Sequence, residues 1–221
     1  MTAVLFDFNG TMFFDEKFQE MSWRQFVDDK IGRVITDDEF QKYIHGRNND
    51  FTMRYFLEKS FLGEELEALE EEKEAIYRKL CLESEAFHLA DGLADFLYEL
   101  QLQCIPVNIA TASGLKNVEF FFEHLDLANW FDISKVVYND GELPGKPEPD
   151  LYLKAASNIG VDIRECIVFE DSLSGIESAK CAKAKSVVKV ASMKKSKDKA
   201  GMISIIRDYT DMDTLMQVIK Q

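Results

Sequence analysis

The sequence predicts an α/β fold, a doubly wound parallel sheet with a block of helices inserted just after its first strand. Three observations carry this. The chain opens on four apolar residues, Ala3-Val4-Leu5-Phe6, which run straight into a carboxylate, Asp7. From about residue 15 to residue 83 no convincing strand occurs. From Asp91 onward short apolar runs alternate with amphipathic stretches, the pattern of crossover units that cover both faces of a parallel sheet.

Taken in order, the opening strand ends at a turn, Asn9-Gly10, and a helical stretch follows from about Asp15 to Lys30. Thr36-Asp37-Asp38-Glu39 has the spacing of a capping box, so a second helix starts there. Further helical segments are expected at about 50 to 60 and 64 to 83. The run Glu64 to Glu74 carries seven Glu and one Lys, the composition of a solvated helix face. Trp23 suits packing within this block.

Beyond it come a helix over Leu93 to Leu102, a strand over Ile105 to Ala110, and a helix ending near Leu125. A strand is expected at Val136-Val137-Tyr138. Pro149 opens a helix with Leu151, Ala155 and Ile159 on one stripe. Cys166-Ile167-Val168-Phe169 is the next strand, Leu173, Ile176 and Ala179 mark a helix face, and Ser186 to Val190 is a strand again. The division is a core of residues 1–13 with 85–221, and an inserted unit of residues 14–84.

Composition narrows the function. Of 221 residues 46% are hydrophobic and 30% charged, a globular balance. No run approaches the roughly 18 apolar residues of a membrane span, and the N-terminus lacks a signal peptide, so a cytoplasmic protein is expected. A net charge of −14 opposes general nucleic-acid binding, and Lys194 to Lys199 is too short a basic run to reverse it. Cys81, Cys104, Cys166 and Cys181 form no metal spacing and are expected to be buried reduced thiols. A monomer is assumed.

The chemistry is expected where the strands end, because open α/β sheets bind ligands outside the carboxyl ends of their strands. Asp7 follows the first strand, Thr111-Ala112-Ser113 the second, and Glu170-Asp171 the strand at 166 to 169. Lys146 lies in a loop leading into a helix. Converging carboxylates repel unless a cation sits among them, and an all-oxygen site suits Mg²⁺. A lysine and a hydroxyl beside it suit a phosphoryl group. Each residue also has a structural alternative: Asp7 flanking a hairpin turn at Asn9-Gly10, Thr111 as a helix N-cap, Lys146 in solvent, and Asp171 or Ser172 capping the following helix.

Asp7-Phe8-Asn9-Gly10-Thr11, Thr111, Gly145-Lys146-Pro147-Glu148-Pro149, and Glu170-Asp171-Ser172 with Gly175 resemble the four motifs of the haloacid dehalogenase (HAD) superfamily, in its order and over nearly the whole chain. The inserted helices resemble the cap of its β-phosphoglucomutase-like and phosphoglycolate-phosphatase-like branch. The resemblance implies a Rossmann-like core, a Mg²⁺ ion, and a nucleophilic Asp7 that forms an aspartyl phosphate later hydrolysed by water. It also implies that Thr111 and the backbone after it, at Ala112, hold phosphate oxygens. Lys146 would balance the charge of nucleophile and phosphate. Asp7, the Asn9 backbone carbonyl, Glu170 and Asp171 would surround the metal. In the cap, Gly46-Arg47 resembles the segment that places a positive group near substrate; the structural alternative is a surface Arg on a helix-joining turn.

The pattern departs from the family at one position. Phosphatases and phosphomutases of this kind have a second Asp two residues after the nucleophile, which protonates the leaving group and activates water; here Asn9 stands there. A carboxamide exchanges no proton near neutral pH, and losing such help costs on the order of 10²- to 10⁴-fold in rate. Gln19 stands where the mutases have a cap His. The expected function is a Mg²⁺-dependent phosphatase for a small phosphorylated metabolite, slowed or rerouted by Asn9. The alternatives are a protein that binds a phosphorylated ligand or partner without turnover and, behind it, phosphonatase, dehalogenase or phosphomutase chemistry. A phosphonatase requires an imine-forming cap lysine, for which Lys42 and Lys59 are the nearest candidates.

Overall fold

The computed structural model describes residues 2–44, 49–191 and 204–220. The chain divides into two compact units, residues 1–14 with 88–221 and residues 15–87. In chain order the elements are β1 (Ala3–Phe6), α1 (Glu16–Ile31), α2 (Asp37–Tyr43), α3 (Asn49–Leu57), α4 (Glu64–Leu82), α5 (Leu93–Leu102), β2 (Val107–Ile109), α6 (Leu115–His124), α7 (Asp150–Asn158), β3 (Cys166–Glu170), α8 (Leu173–Cys181), β4 (Ser186–Val190), β5 (Ser204–Ile206) and α9 (Met212–Lys220).

The larger unit is a Rossmann-like sheet of five parallel strands in the order β2-β1-β3-β4-β5. Side chains alternate across β1, so Ala3 and Leu5 join Val168, Tyr152, Ala155, Ile176 and Ala179 in one apolar layer. Phe6 faces the other way. Its ring stacks on Phe169 with centroids 5.2 Å apart and meets Phe96 and Tyr209 at 6.3 and 6.4 Å. With both faces covered, every residue of β1 and β3 is buried, which is why residues 3–6 and 166–169 read as unbroken apolar runs. No hairpin forms at Asn9-Gly10: β1 pairs in parallel with both β2 and β3.

Two expected features are corrected. Val136-Val137-Tyr138 is not a strand; Val137 makes a single bridge to Ala110 before the chain turns away. Strand β2 is also shorter than expected, starting at Val107 after Pro106, which has no N–H to give a ladder. Two elements lie beyond the expected set, β5 and α9. They return the chain to the start of α5, where the Tyr209 amide donates to the Asp91 carbonyl at 2.8 Å.

The thiols divide as well. Cys81 and Cys166 are buried, and burial pushes them up to about 12 and about 11, so they are unreactive. Cys104 and Cys181 are exposed, against expectation, because Cys104 sits at φ +54 in the turn before β2 and Cys181 ends α8.

The smaller unit is all helix. Trp23, Phe26, Val27, Phe40, Met53 and Phe56 form its core, and the capping box at Thr36 is present, with the Glu39 amide donating to Thr36 Oγ1 at 3.2 Å. In the acidic run of α4, Lys73 is an exception to the solvated face: it is 1% exposed. Lys73, Tyr77 and Cys81 recur every fourth residue and turn inward together. The Lys73 ammonium donates to Gln19 Oε1 at 2.7 Å and Glu74 Oε1 at 2.9 Å, and the Tyr77 hydroxyl donates to Asp15 Oδ2 at 2.9 Å. No helix among the described residues is long and apolar enough to cross a membrane.

Gly92 shows how the returning chain is held. It has φ +79, and a Cβ there would come within 2.3 Å of the Tyr209 carbonyl oxygen. Gly160 has a similar φ of +72 but open space around it. Gly160→Ala is therefore expected to cost about 1 kcal/mol from backbone strain alone, and Gly92→Ala about 2 kcal/mol more than that. Urea unfolding of both variants checks the order; equal losses would mean that the Tyr209 segment does not press on Gly92.

Candidate active site

The register of the sheet gathers the site. Phe6 pairs with Ile109 on one side and Phe169 on the other, so the residues just past them reach one edge at the same level. Those residues are Asp7, Ala110-Thr111 and Glu170-Asp171. Here β1 lies between β2 and β3, and the chain's crossovers leave to opposite sides, the switch point at which open sheets form crevices.

Asp7, Glu170 and Asp171 each offer a carboxylate oxygen, all within 4.8 Å of one another. Lys146 comes from the loop before α7, and its ammonium donates to Asp7 Oδ1 at 2.5 Å and Glu170 Oε1 at 3.4 Å. Its side chain is 7% exposed, against 9% and 1% for its partners. Burial by itself pulls the Lys146 ammonium down, but the Asp7 and Glu170 carboxylates more than offset it and hold it well above its ordinary value. The two carboxylates thus favour the ammonium form of Lys146. Glu170 is pushed up to about 7 by burial and by Asp7, with Lys146 and Ser172 pulling the other way.

Two glycines permit this crowding. A Cβ at Gly175 would lie 1.4 Å from Glu170 Oε1, and one at Gly10 would lie 2.3 Å from Asp171 Oδ2. The Ser172 hydroxyl donates to Glu170 Oε1 at 2.7 Å while accepting from the Gly175 amide at 3.0 Å. Ser172 thus caps α8 and positions a carboxylate at once.

Thr111 is buried, and its Oγ1 accepts from the Ser113 amide at 3.1 Å. It does not cap α6, whose N-cap is Gly114. Ala112 is exposed in the same loop. Asn9 is half-buried, and its Oδ1 accepts from the Ser113 hydroxyl at 2.8 Å. Sequence reasoning took Ser113 as part of the loop but gave it no role; its place two residues past Thr111 at a strand end was the available signal. It also missed Tyr152, whose buried ring lies 4.9 Å from the Lys146 ammonium, a placement that no local pattern announces.

Of the remaining candidates, Gly46 and Arg47 lie outside the described residues. Lys59 is paired with Glu65 at 2.6 Å, and Lys42 rests over the Tyr43 ring at 4.9 Å, so neither sits in the desolvated pocket that an imine-forming lysine needs.

The donors fit a hard divalent cation. They are all oxygens, converge from two strands, and oppose three carboxylates to one ammonium, an imbalance that a Mg²⁺-sized ion would relieve.

Fold and site together define an α/β enzyme with an acidic centre at its switch point. Residues 1–183 match the family model of haloacid dehalogenase-like hydrolases, and the chain belongs to that family. It is similar to a solved HAD hydrolase of family IA, variant 3, from Entamoeba histolytica HM-1:IMSS, at 36% identity and a TM-score of 0.90 over 100% of both chains. It is 26% identical to the phosphorylated carbohydrates phosphatase of Thermotoga maritima, covering 99% of this chain and 100% of that one. It is 29% identical to a fructose-1-phosphate phosphatase of Escherichia coli, over 81% and 92%.

Gly175→Ala isolates the packing of the centre. The added methyl must displace Glu170, and a loss of about 1–3 kcal/mol is expected, read by thermal or urea unfolding. An unchanged midpoint would mean that the carboxylate is not held against α8.

Proposed function

We propose that this chain is a Mg²⁺-dependent phosphatase, acting as a cytoplasmic monomer on a small phosphorylated metabolite, with Asp7 as nucleophile. The observation that carries the reading is the contact of the Lys146 ammonium with Asp7 Oδ1 at 2.5 Å, beside Glu170 and Asp171. A carboxylate so held is fixed in direction, which a nucleophile requires. The relatives named as phosphatases of phosphorylated carbohydrates and of fructose 1-phosphate support a sugar phosphate as the kind of metabolite.

Asp7, the Asn9 carbonyl, Glu170 and Asp171 would hold the metal, which when bound supplies charge to phosphate oxygens. The Asp7 carboxylate attacks phosphorus and the P–O bond to the leaving group breaks, giving an aspartyl phosphate. Lys146, Thr111 and the Ala112 backbone offer donors to the phosphoryl oxygens, so charge developing there meets groups already in position. Water then attacks phosphorus and frees Asp7. Residues 14–84 would serve as the cap of this family. Asn9 stands where the family's proton-exchanging Asp would be, and this also favours a second reading, a protein that binds a phosphorylated ligand with little turnover.

Asp7→Ala is expected to abolish phosphate release from sugar phosphates, and chelation of divalent cations to reduce it at least ~10²-fold, restored by Mg²⁺. A phosphate-release assay over a panel of sugar phosphates checks both. Release that survives Asp7→Ala would end the nucleophile assignment. Saturable binding of a sugar phosphate without release would move the weight to the second reading.

A further inference from the structure

We infer that Tyr152 is a positioning residue for Lys146: the face of its ring holds the ammonium in place while an N–H of that ammonium passes from a carboxylate to a phosphoryl oxygen. The inference rests on the phosphatase reading above and adds to it a residue outside the cluster of charges. Tyr152 lies in the first turn of α7, in the helix that follows the Lys146 loop. It has no exposed surface, so it reaches neither solvent nor substrate. The Lys146 ammonium sits over its ring, 4.9 Å from the centroid.

What the ring does follows from what the ammonium needs. An ammonium has three N–H bonds to place and accepts none. It donates to Asp7 Oδ1 at 2.5 Å and to Glu170 Oε1 at 3.4 Å. The lysine side chain is only 7% exposed, so water is a minor partner. An aromatic ring presents a negative face, and its pull on a cation is strongest where both are out of water. The phenol oxygen has no comparable part: it is buried and makes no hydrogen bond to a described group. Tyr152 therefore acts on Lys146 through its face.

A ring face attracts the cation as a whole and takes up no particular N–H direction. An oxygen in its place would fix one. When a phosphoryl oxygen arrives beside Asp7, the longer of the two bonds, the one to Glu170, is given up at least cost. The ring keeps the ammonium in place through that change of acceptor, so a positive charge is already in position as negative charge develops on the phosphoryl oxygens. Without the face, the flexible four-carbon stem of lysine follows whichever carboxylate still holds it. Charge develops in the transition states more than in the bound ground state, so the loss falls on kcat and leaves KM nearly unmoved.

The test compares the natural protein with Tyr152→Phe and Tyr152→Leu on p-nitrophenyl phosphate with Mg²⁺. Tyr152→Phe keeps the face and is expected to hold kcat within about threefold, whereas Tyr152→Leu is expected to lower it ~5- to 30-fold with KM little changed. Ile163→Ala controls for lost packing: it belongs to the same apolar cluster but lies just before β3, at the opposite end of that strand from Glu170, and is expected to keep kcat. Should Tyr152→Leu not fold, pentafluorophenylalanine inserted at position 152 removes the negative face at nearly constant shape, and the same fall in kcat is expected. A second readout needs no turnover. The ring current of Tyr152 displaces the NMR signal of the Lys146 ε-methylene in lysine-labelled protein; that signal is expected to move in Tyr152→Leu and to stay in Tyr152→Phe. A kcat for Tyr152→Leu within about threefold of the natural one, or an equal loss in Tyr152→Phe or Ile163→Ala, overturns the inference while the phosphatase reading stands. If the natural protein releases no phosphate from this donor or from sugar phosphates, the phosphatase reading falls, and an unmoved Lys146 signal in Tyr152→Leu overturns the hold on Lys146 by itself.

Discussion

The Lys146 ammonium lodged between Asp7 and Glu170 is the constraint on which the rest depends. Three ionisable groups lie nearly out of water, and taking each out of water is expensive unless the others compensate. Removing the lysine would leave facing carboxylates, and removing a carboxylate would leave a buried cation. The arrangement needs strands that stop at one level, and parallel pairing of β1 with both β2 and β3 provides that. It also needs a rigid floor. The buried aromatic layer of Phe6, Phe96, Phe169 and Tyr209 beneath the strand ends supplies it, each ring pair contributing about 0.5–1.5 kcal/mol beyond its buried area.

Crowding of charge then dictates which small residues surround it. Glu170 lies against the first turn of α8 only because Gly175 has no side chain, and Asp171 lies over Gly10 for the same reason. Both glycines belong to the stretches that carry the family resemblance. Their presence there is a packing requirement of the carboxylates, separate from any contact with a ligand. The loop after β2 is set in a similar economy of parts: Ser113 gives its amide to Thr111 and its hydroxyl to Asn9, so one residue joins the ends of two strands.

Strand ends were legible because the sheet is parallel and buried on both faces, so apolar runs mark strands and the first polar residue after each marks the edge. Asp7, Thr111 and Glu170-Asp171 fall out of that rule, Lys146 comes instead from the loop before α7, and the structure brings Asp7, Lys146, Glu170 and Asp171 within contact distance. Long-range orientation was not legible. That the Ser113 hydroxyl turns to Asn9, or that Tyr152 lies under Lys146, depends on how separate loops meet. Val136 to Tyr138 has strand composition, yet pairing stops after one bridge. Lys73 sits in an acidic run, yet helical phase carries it inward with Tyr77 and Cys81. In each case tertiary contacts override a local preference.

Asn9 marks where fold and chemistry separate. Asn and Asp have the same shape, and the turn around position 9 is held by backbone bonds from Thr11, Met12 and Phe13 to the Phe8 carbonyl, which either residue permits. An oxygen that accepts from Ser113 is also present in both. Packing, register and the carboxylate cluster are therefore indifferent to the exchange, so resemblance to phosphatases carries the architecture across undiminished. Proton transfer is not indifferent, because only one of the two side chains ionises near neutral pH. A single isosteric exchange thus changes proton transfer while leaving the fold unmoved, so the scaffold alone does not carry the chemistry.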